Sequence, residues 1–195
     1  MMRATPDTSS IDGPLSPAQR DQLAQASARA RKILAASRVA TFNGWTLAVA
    51  GAVSLLLGLF SVTGLIMGIA LMLLSWNEFY GRRLLRRFDP CGPERLGKNQ
   101  LALMVVVIAY CLWTMYDTWA HPSSDLEQLE ALLGPTGDLV TQLTVRIYGT
   151  IILASMVVQG LNARYYFART GLIKGYLDQT PAWIIDLQRS ASQAP

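Results

Sequence analysis

The chain has 195 residues, a net charge of +4 and a hydrophobic share of 51%, which suits one soluble domain or a small helical bundle in a bilayer, not both. Only 15% of residues are charged, against about 25% in soluble domains, and no charge interrupts Val39 to Asn77. The basic residues flank apolar runs without a helix-turn-helix, RNP or finger pattern, which argues against a nucleic-acid partner and makes membrane topology the reason for the positive balance.

In chain order, residues 1–15 are read as a disordered N-terminus and 16–38 as a basic, Ala-rich cytoplasmic helix started by Ser16-Pro17. Met1–Arg38 has no apolar h-region, so the first span is expected to direct insertion. The apolar stretch 39–76 is about twice the length that crosses a hydrocarbon core. It therefore predicts a transmembrane hairpin, with spans about 41–60 and 62–78. Its turn is placed at Phe60-Ser61-Val62-Thr63-Gly64, the weakest helix formers of the stretch.

A basic cytoplasmic loop is expected over 79–98, followed by a third span over 99–119 that carries LALMVVVIAYCLWTMY. An acidic outer loop over 120–142 leads to a fourth span over 143–165, containing IYGTIILASMVVQGLNA, and a cytoplasmic tail over 166–195. The alternation of a membrane barrel strand is absent, so all spans are read as helices. In the outer loop Ser124-Asp-Leu-Glu127 reads as a capping box opening a short amphipathic helix that Gly134-Pro135 closes. In the tail Thr180-Pro181 starts a helix expected to lay Trp183, Ile184 and Leu187 on the membrane surface or the basic loop. The fold class is all-α: a polytopic membrane protein with four transmembrane helices and short amphipathic helices before the first span, in the outer loop and in the tail.

Orientation follows from Lys and Arg, which are retained in the cytoplasm when they lie near a span. They cluster at Arg20, Arg29, Arg31, Lys32 and Arg38, at Arg82, Arg83, Arg86, Arg87, Arg95 and Lys98, and at Arg164, Arg169, Lys174 and Arg189. Asp117 to Gln142 has five acidic residues and no Lys or Arg. Both termini are therefore expected on the cytoplasmic side of a bacterial inner membrane. Trp45, Trp76, Phe79, Tyr80, Tyr165 and Tyr166 would form the inner aromatic belt, and Trp113, Tyr116, Trp119 and Tyr148 the outer one.

Helices in lipid associate through close contact at small residues. Gly44, Gly51 and Gly58 recur every seven residues in the first span, and Gly64 and Gly68 open the second, so these faces are expected to meet in a tight hairpin. Polar residues at membrane depth are the default place to look for function. Asn43, Asn77, Glu78, Asn99, Gln100, Gln159 and Asn162 come from all four spans at similar height and are expected to converge into an inner polar layer. Solvation at the interface is the blander account of the same residues. Glu78 is expected to pair with Arg82 one turn on, and Asp117 with Arg146 as an outer ion pair. The cations Arg82, Arg83, Arg86 and Arg87 are expected to contact anionic headgroups or an acidic partner.

His121 stands alone beside Pro122, which makes no metal site. Cys91 and Cys111 lie too far apart in this topology to bridge. No HExxH, GxSxG or P-loop is present, so no catalytic residues, metal or cofactor are expected.

Three stretches, NEFYGRRLLRRFDP, NQLALMVVVIAYCLW and YYFARTGLIKGYLDQTPAWIIDLQR, resemble uncharacterised small bacterial four-helix integral membrane proteins. The resemblance runs from Asn77 onward apart from the outer loop, and implies four helices in a bacterial envelope and no activity. The expected function is a non-enzymatic scaffold or accessory subunit that meets the bilayer and a protein partner or a second copy of itself. The alternative is a small transporter or channel that uses the polar layer around Glu78.

Overall fold

A computed structural model describes residues 15–121 and 137–193. Five helices are described: α1 (Pro17–Gly58), α2 (Val62–Arg86), α3 (Cys91–Ala120), α4 (Gly137–Gln179) and α5 (Ala182–Gln193). The first four are long and apolar enough to cross a membrane. Residues 1–14 and the outer-loop helix expected at Ser124–Leu133 lie outside the described residues.

Helix α1 starts on a capping box. The Ser16 amide donates to Gln19 Oε1 at 2.9 Å and the Gln19 amide to Ser16 Oγ at 3.3 Å, while Pro17 occupies a first-turn position whose N–H has no helical partner anyway. From there the helix is unbroken for 42 residues, about 63 Å at the α-helical rise. The basic helix and the first span are thus one rod. Helix α4, at 43 residues, likewise merges the fourth span with most of the expected tail. The loop expected over 79–98 shrinks to the turn between Arg86 and Cys91.

Along α1 the buried positions Ala26, Ala30, Ile33, Ser37, Ala40, Gly44, Leu47 and Gly51 recur at alternating steps of four and three, with Ala36 beside them and Gly58 two turns farther on. They make one coiled-coil-like seam, alanine-rich near the chain start and glycine-rich farther on. The glycine part faces α2. A Cβ on Gly44 would lie 3.1 Å from the Phe79 ring, and one on Gly51 3.1 Å from Met72. One on Gly58 would run into the backbone of Gly64 and Leu65, and one on Gly68 would lie 2.7 Å from Leu55. Gly58 ends α1, and Ser61 caps α2 by accepting from the Gly64 amide at 3.4 Å.

The main buried cluster lies beyond the glycine part of the seam, at the end of the bundle that carries Arg82 to Lys98. Ile33 of α1, Leu85 and Phe88 from the end of α2, Tyr176 of α4 and Ile184 of α5 meet there. At this basic end α5 turns Ile184 and Ile185 into the cluster, while Trp183 and Leu187 stay partly exposed. The inward face therefore differs from the expected one, because the cluster offers aromatic and aliphatic partners on the 184–185 side. The Arg189 guanidinium, donating to the Arg87 carbonyl at 3.2 Å, pins α5 to the α2–α3 turn. Toward the opposite end the described residues form a smaller buried cluster of Leu47, Leu71 and Leu103.

Candidate functional site

On α2 the inward positions Gly68, Leu71, Ser75 and Glu78 follow steps of three and four, which places Glu78 in the middle of the bundle. On α3, Leu96, Asn99, Gln100 and Leu103 face it from the facing side. Glu78 is fully buried, at 0% exposure.

Its Oε1 accepts two hydrogen bonds, from Gln100 Nε2 at 2.5 Å and Asn99 Nδ2 at 3.1 Å. The Asn99 amide also donates to the Leu74 carbonyl at 3.1 Å, and its Oδ1 accepts from Asn77 Nδ2 at 2.8 Å. Asn77 Oδ1 in turn accepts from Arg95 Nε at 2.5 Å. The donors run head to tail from exposed Arg95 through two amides to buried Glu78, so each bond polarises the next in the sense that stabilises a carboxylate. Glu78 Oε2 has no hydrogen-bond partner among the described residues.

The layer continues across the bundle. Tyr166 of α4 lies within electrostatic reach of Glu78 and accepts from Asn43 Nδ2 at 3.4 Å. Ser75 Oγ donates to the Gly44 carbonyl at 2.8 Å, tying α2 to α1 one turn away. The structure therefore joins Asn77, Glu78, Asn99 and Gln100 directly, with Asn43 linked through Tyr166. Gln159 and Asn162 of α4 are half-buried, and Gln159 Oε1 has no hydrogen-bond partner among the described residues.

Two expected ion pairs do not form. Glu78 turns inward to the amides of α3, away from Arg82, because the stripe it sits on is the packed one. Asp117 pairs with His121 at 3.3 Å, one turn along α3, a local contact that orders less chain than reaching Arg146 on another helix. That pair is exposed on both sides and contributes little. Arg82 and Arg86 are half-buried, and Arg83 and Arg87 are exposed. Cys91 is exposed and Cys111 buried.

Two members of the site escape a reading by residue type. Arg95, counted for topology alone, is one turn from Asn99 on α3, and that i,i+4 spacing is its signal. Tyr166, assigned to the aromatic belt, is fully buried. A cleft about 910 Å³ in volume lies beside the layer between α2 and α3, lined by Asn77 and Asn99 but not by Glu78. Among the described residues no three His, Cys, Asp or Glu side chains group as metal ligands. No family model, curated protein or solved structure matches the chain.

Proposed function

We propose that the protein is a non-enzymatic scaffold or accessory subunit of a bacterial inner membrane, crossing it four times with both termini in the cytoplasm. Lys and Arg crowding at the basic end supports that orientation. The role rests on one observation: only 6% of the most apolar stretch of α3, and the same of α4, is buried within the chain. Helix surface left open at membrane depth is surface for lipid or for another helix. A transport path instead needs a cavity that reaches the buried polar residues, and the cleft between α2 and α3 is not lined by Glu78. Here the polar layer is spent on closing the bundle. The partner is another integral membrane protein or a second copy of this chain.

Affinity purification from a mild detergent, with chemical crosslinking before extraction, tests this. A defined partner or oligomer is expected; repeated recovery of a lone monomer would sink it. The unpartnered Oε2 of Glu78 favours a second reading, a small transporter or channel. In that case proteoliposomes pass ions or protons, and Glu78→Gln stops the flux; proteoliposomes without flux exclude it.

A further inference from the structure

The cleft between α2 and α3 is polar at one end and apolar at the other. Asp89, Cys91, Glu94, Arg95 and Lys98 line it near the α2–α3 turn, and Leu73, Trp76 and Ala102 line it farther along. From Leu84 back to Leu73 it follows α2 for eleven residues, about 17 Å at the helical rise. That is the distance from a headgroup layer into the acyl region. Trp76 and Leu73 are largely exposed, and Tyr80 stands between them and the charges, the usual depth of an interfacial aromatic.

The charges are not equivalent. Lys98 is paired with Glu94 at 2.6 Å. Asp89 accepts from the Cys91 backbone amide at 2.9 Å. Arg95 has no carboxylate among the described residues: its Nε is held by the neutral Asn77 oxygen and its guanidinium lies 4.3 Å from the centre of the Tyr80 ring. The two contacts orient the guanidinium plane, and its terminal amino groups have no acceptor among the described residues. A planar, pre-oriented cation with open donors is suited to a phosphate oxygen pair. Its volume of about 910 Å³ is in the range of small-molecule sites.

We propose that this cleft binds one membrane phospholipid, with the headgroup phosphate on Arg95 and an acyl chain along Leu73, Trp76 and Ala102. This site requires four helices in a bilayer and is independent of whether the protein is an accessory subunit. Since Arg95 also leads the donor chain to Glu78, the bound phosphate would sit two amides away from the buried carboxylate.

Delipidated protein, titrated with dioleoylphosphatidylglycerol and followed by native mass spectrometry, tests the site. One saturable adduct is expected. Arg95→Gln should weaken it about tenfold, as should Ala102→Trp, which fills the apolar wall without touching Arg95, whereas Arg29→Gln, at an exposed position of α1 outside the cleft, should leave it unchanged. Dioleoylglycerol, with the same chains and no phosphate, should bind about tenfold more weakly, and glycerol phosphate should not compete. Equal adducts on wild type and both cleft variants, equal loss in Arg29→Gln, equal binding of dioleoylglycerol, or competition by glycerol phosphate would each overturn it. A lipid carrying a photoreactive acyl chain gives a readout on the unaltered protein. Crosslinks at residues 73–76 and 102 are expected, and crosslinks confined to other helices refute the site.

Discussion

Phe88 stacks its ring on Tyr176, with centroids 4.8 Å apart, while its backbone sits at φ 55°, the left-handed region. The Phe88 amide donates to the Leu85 carbonyl and the Asp89 amide to the Leu84 carbonyl, the Schellman pattern that ends a helix on a residue which is usually glycine. A phenylalanine there costs about 1–2 kcal/mol. Burying the ring against α4 offsets that cost, since a large core aromatic contributes about 3–5 kcal/mol.

Two substitutions separate these terms. Phe88→Ala loses the ring and keeps the backbone cost; Phe88→Gly loses the ring and relieves the backbone. Both should destabilise, with the glycine variant better by about 1 kcal/mol. Unfolding in a mixed-micelle denaturant titration measures the gap, and a glycine variant weaker than the alanine one contradicts the assignment.

Glu78→Gln keeps an oxygen for the Asn99 and Gln100 amides and replaces a buried ionisable carboxyl with a neutral amide. It should unfold at least as late as the wild type. Glu78→Ala strands two buried amide donors, at about 1–3 kcal/mol each. Thermal stability of the two variants in one detergent decides the matter: a Glu78→Gln loss as large as that of Glu78→Ala means the charge itself holds the bundle.

The glycines of the hairpin should not respond alike to a methyl group. Gly58→Ala drives a Cβ into the backbone of Gly64 and Leu65, whereas nothing lies within 4 Å of a Cβ at Gly149 or Gly160 in α4. The first should destabilise by about 1–3 kcal/mol. The other two should be neutral or gain up to about 1 kcal/mol of helix propensity. Melting curves by circular dichroism test the order, and a harmless Gly58→Ala would mean that α1 and α2 are not in close contact at the turn.

Cys91 reports on topology and on its neighbour. The Asp89 carboxylate beside it, as hydrogen-bond acceptor and as a like charge for the thiolate, pushes the thiol above its ordinary value. Less thiolate is then present at neutral pH, and reaction with maleimide is slowed. Asp89→Asn should speed labelling at pH 7 while preserving the side-chain oxygen that accepts from the Cys91 amide. In intact cells an impermeant maleimide should miss Cys91, and in inside-out vesicles it should reach it; labelling from outside reverses the proposed orientation.

The apolar runs and the turn near Ser61 are legible in the sequence because an uncharged stretch twice a bilayer's thickness has to fold back. Glu78 is legible too, three residues after Ser75 on the stripe that begins at Gly68. The length of α1 and α4 is not. No proline or glycine pair marks where the spans leave the apolar region, and Ser37 and Thr41 bond back to the carbonyls of Leu34 and Ser37 at 2.8 Å each, so polar residues sit in the helix without ending it. Tyr166 is illegible for a different reason. Tyrosine suits an interface and a buried hydrogen bond equally well, and only the Asn43 contact distinguishes them. Phe88 breaks the glycine rule for helix ends, and its compensation lies 88 residues away at Tyr176.

The small-residue seam of α1 makes that helix a lever. From Gly44 to Ala26 it runs about 27 Å without a break, and alanines and glycines along its contact line let it slide or pivot with few interlocking side chains to resist. A tilt of about 10° around Gly44 would carry Ala26 through about 5 Å. A change in the thickness or lateral pressure of the surrounding bilayer would thus arrive at the Ile33–Phe88–Tyr176 cluster as a displacement of ångström scale, with no hinge in between to absorb it.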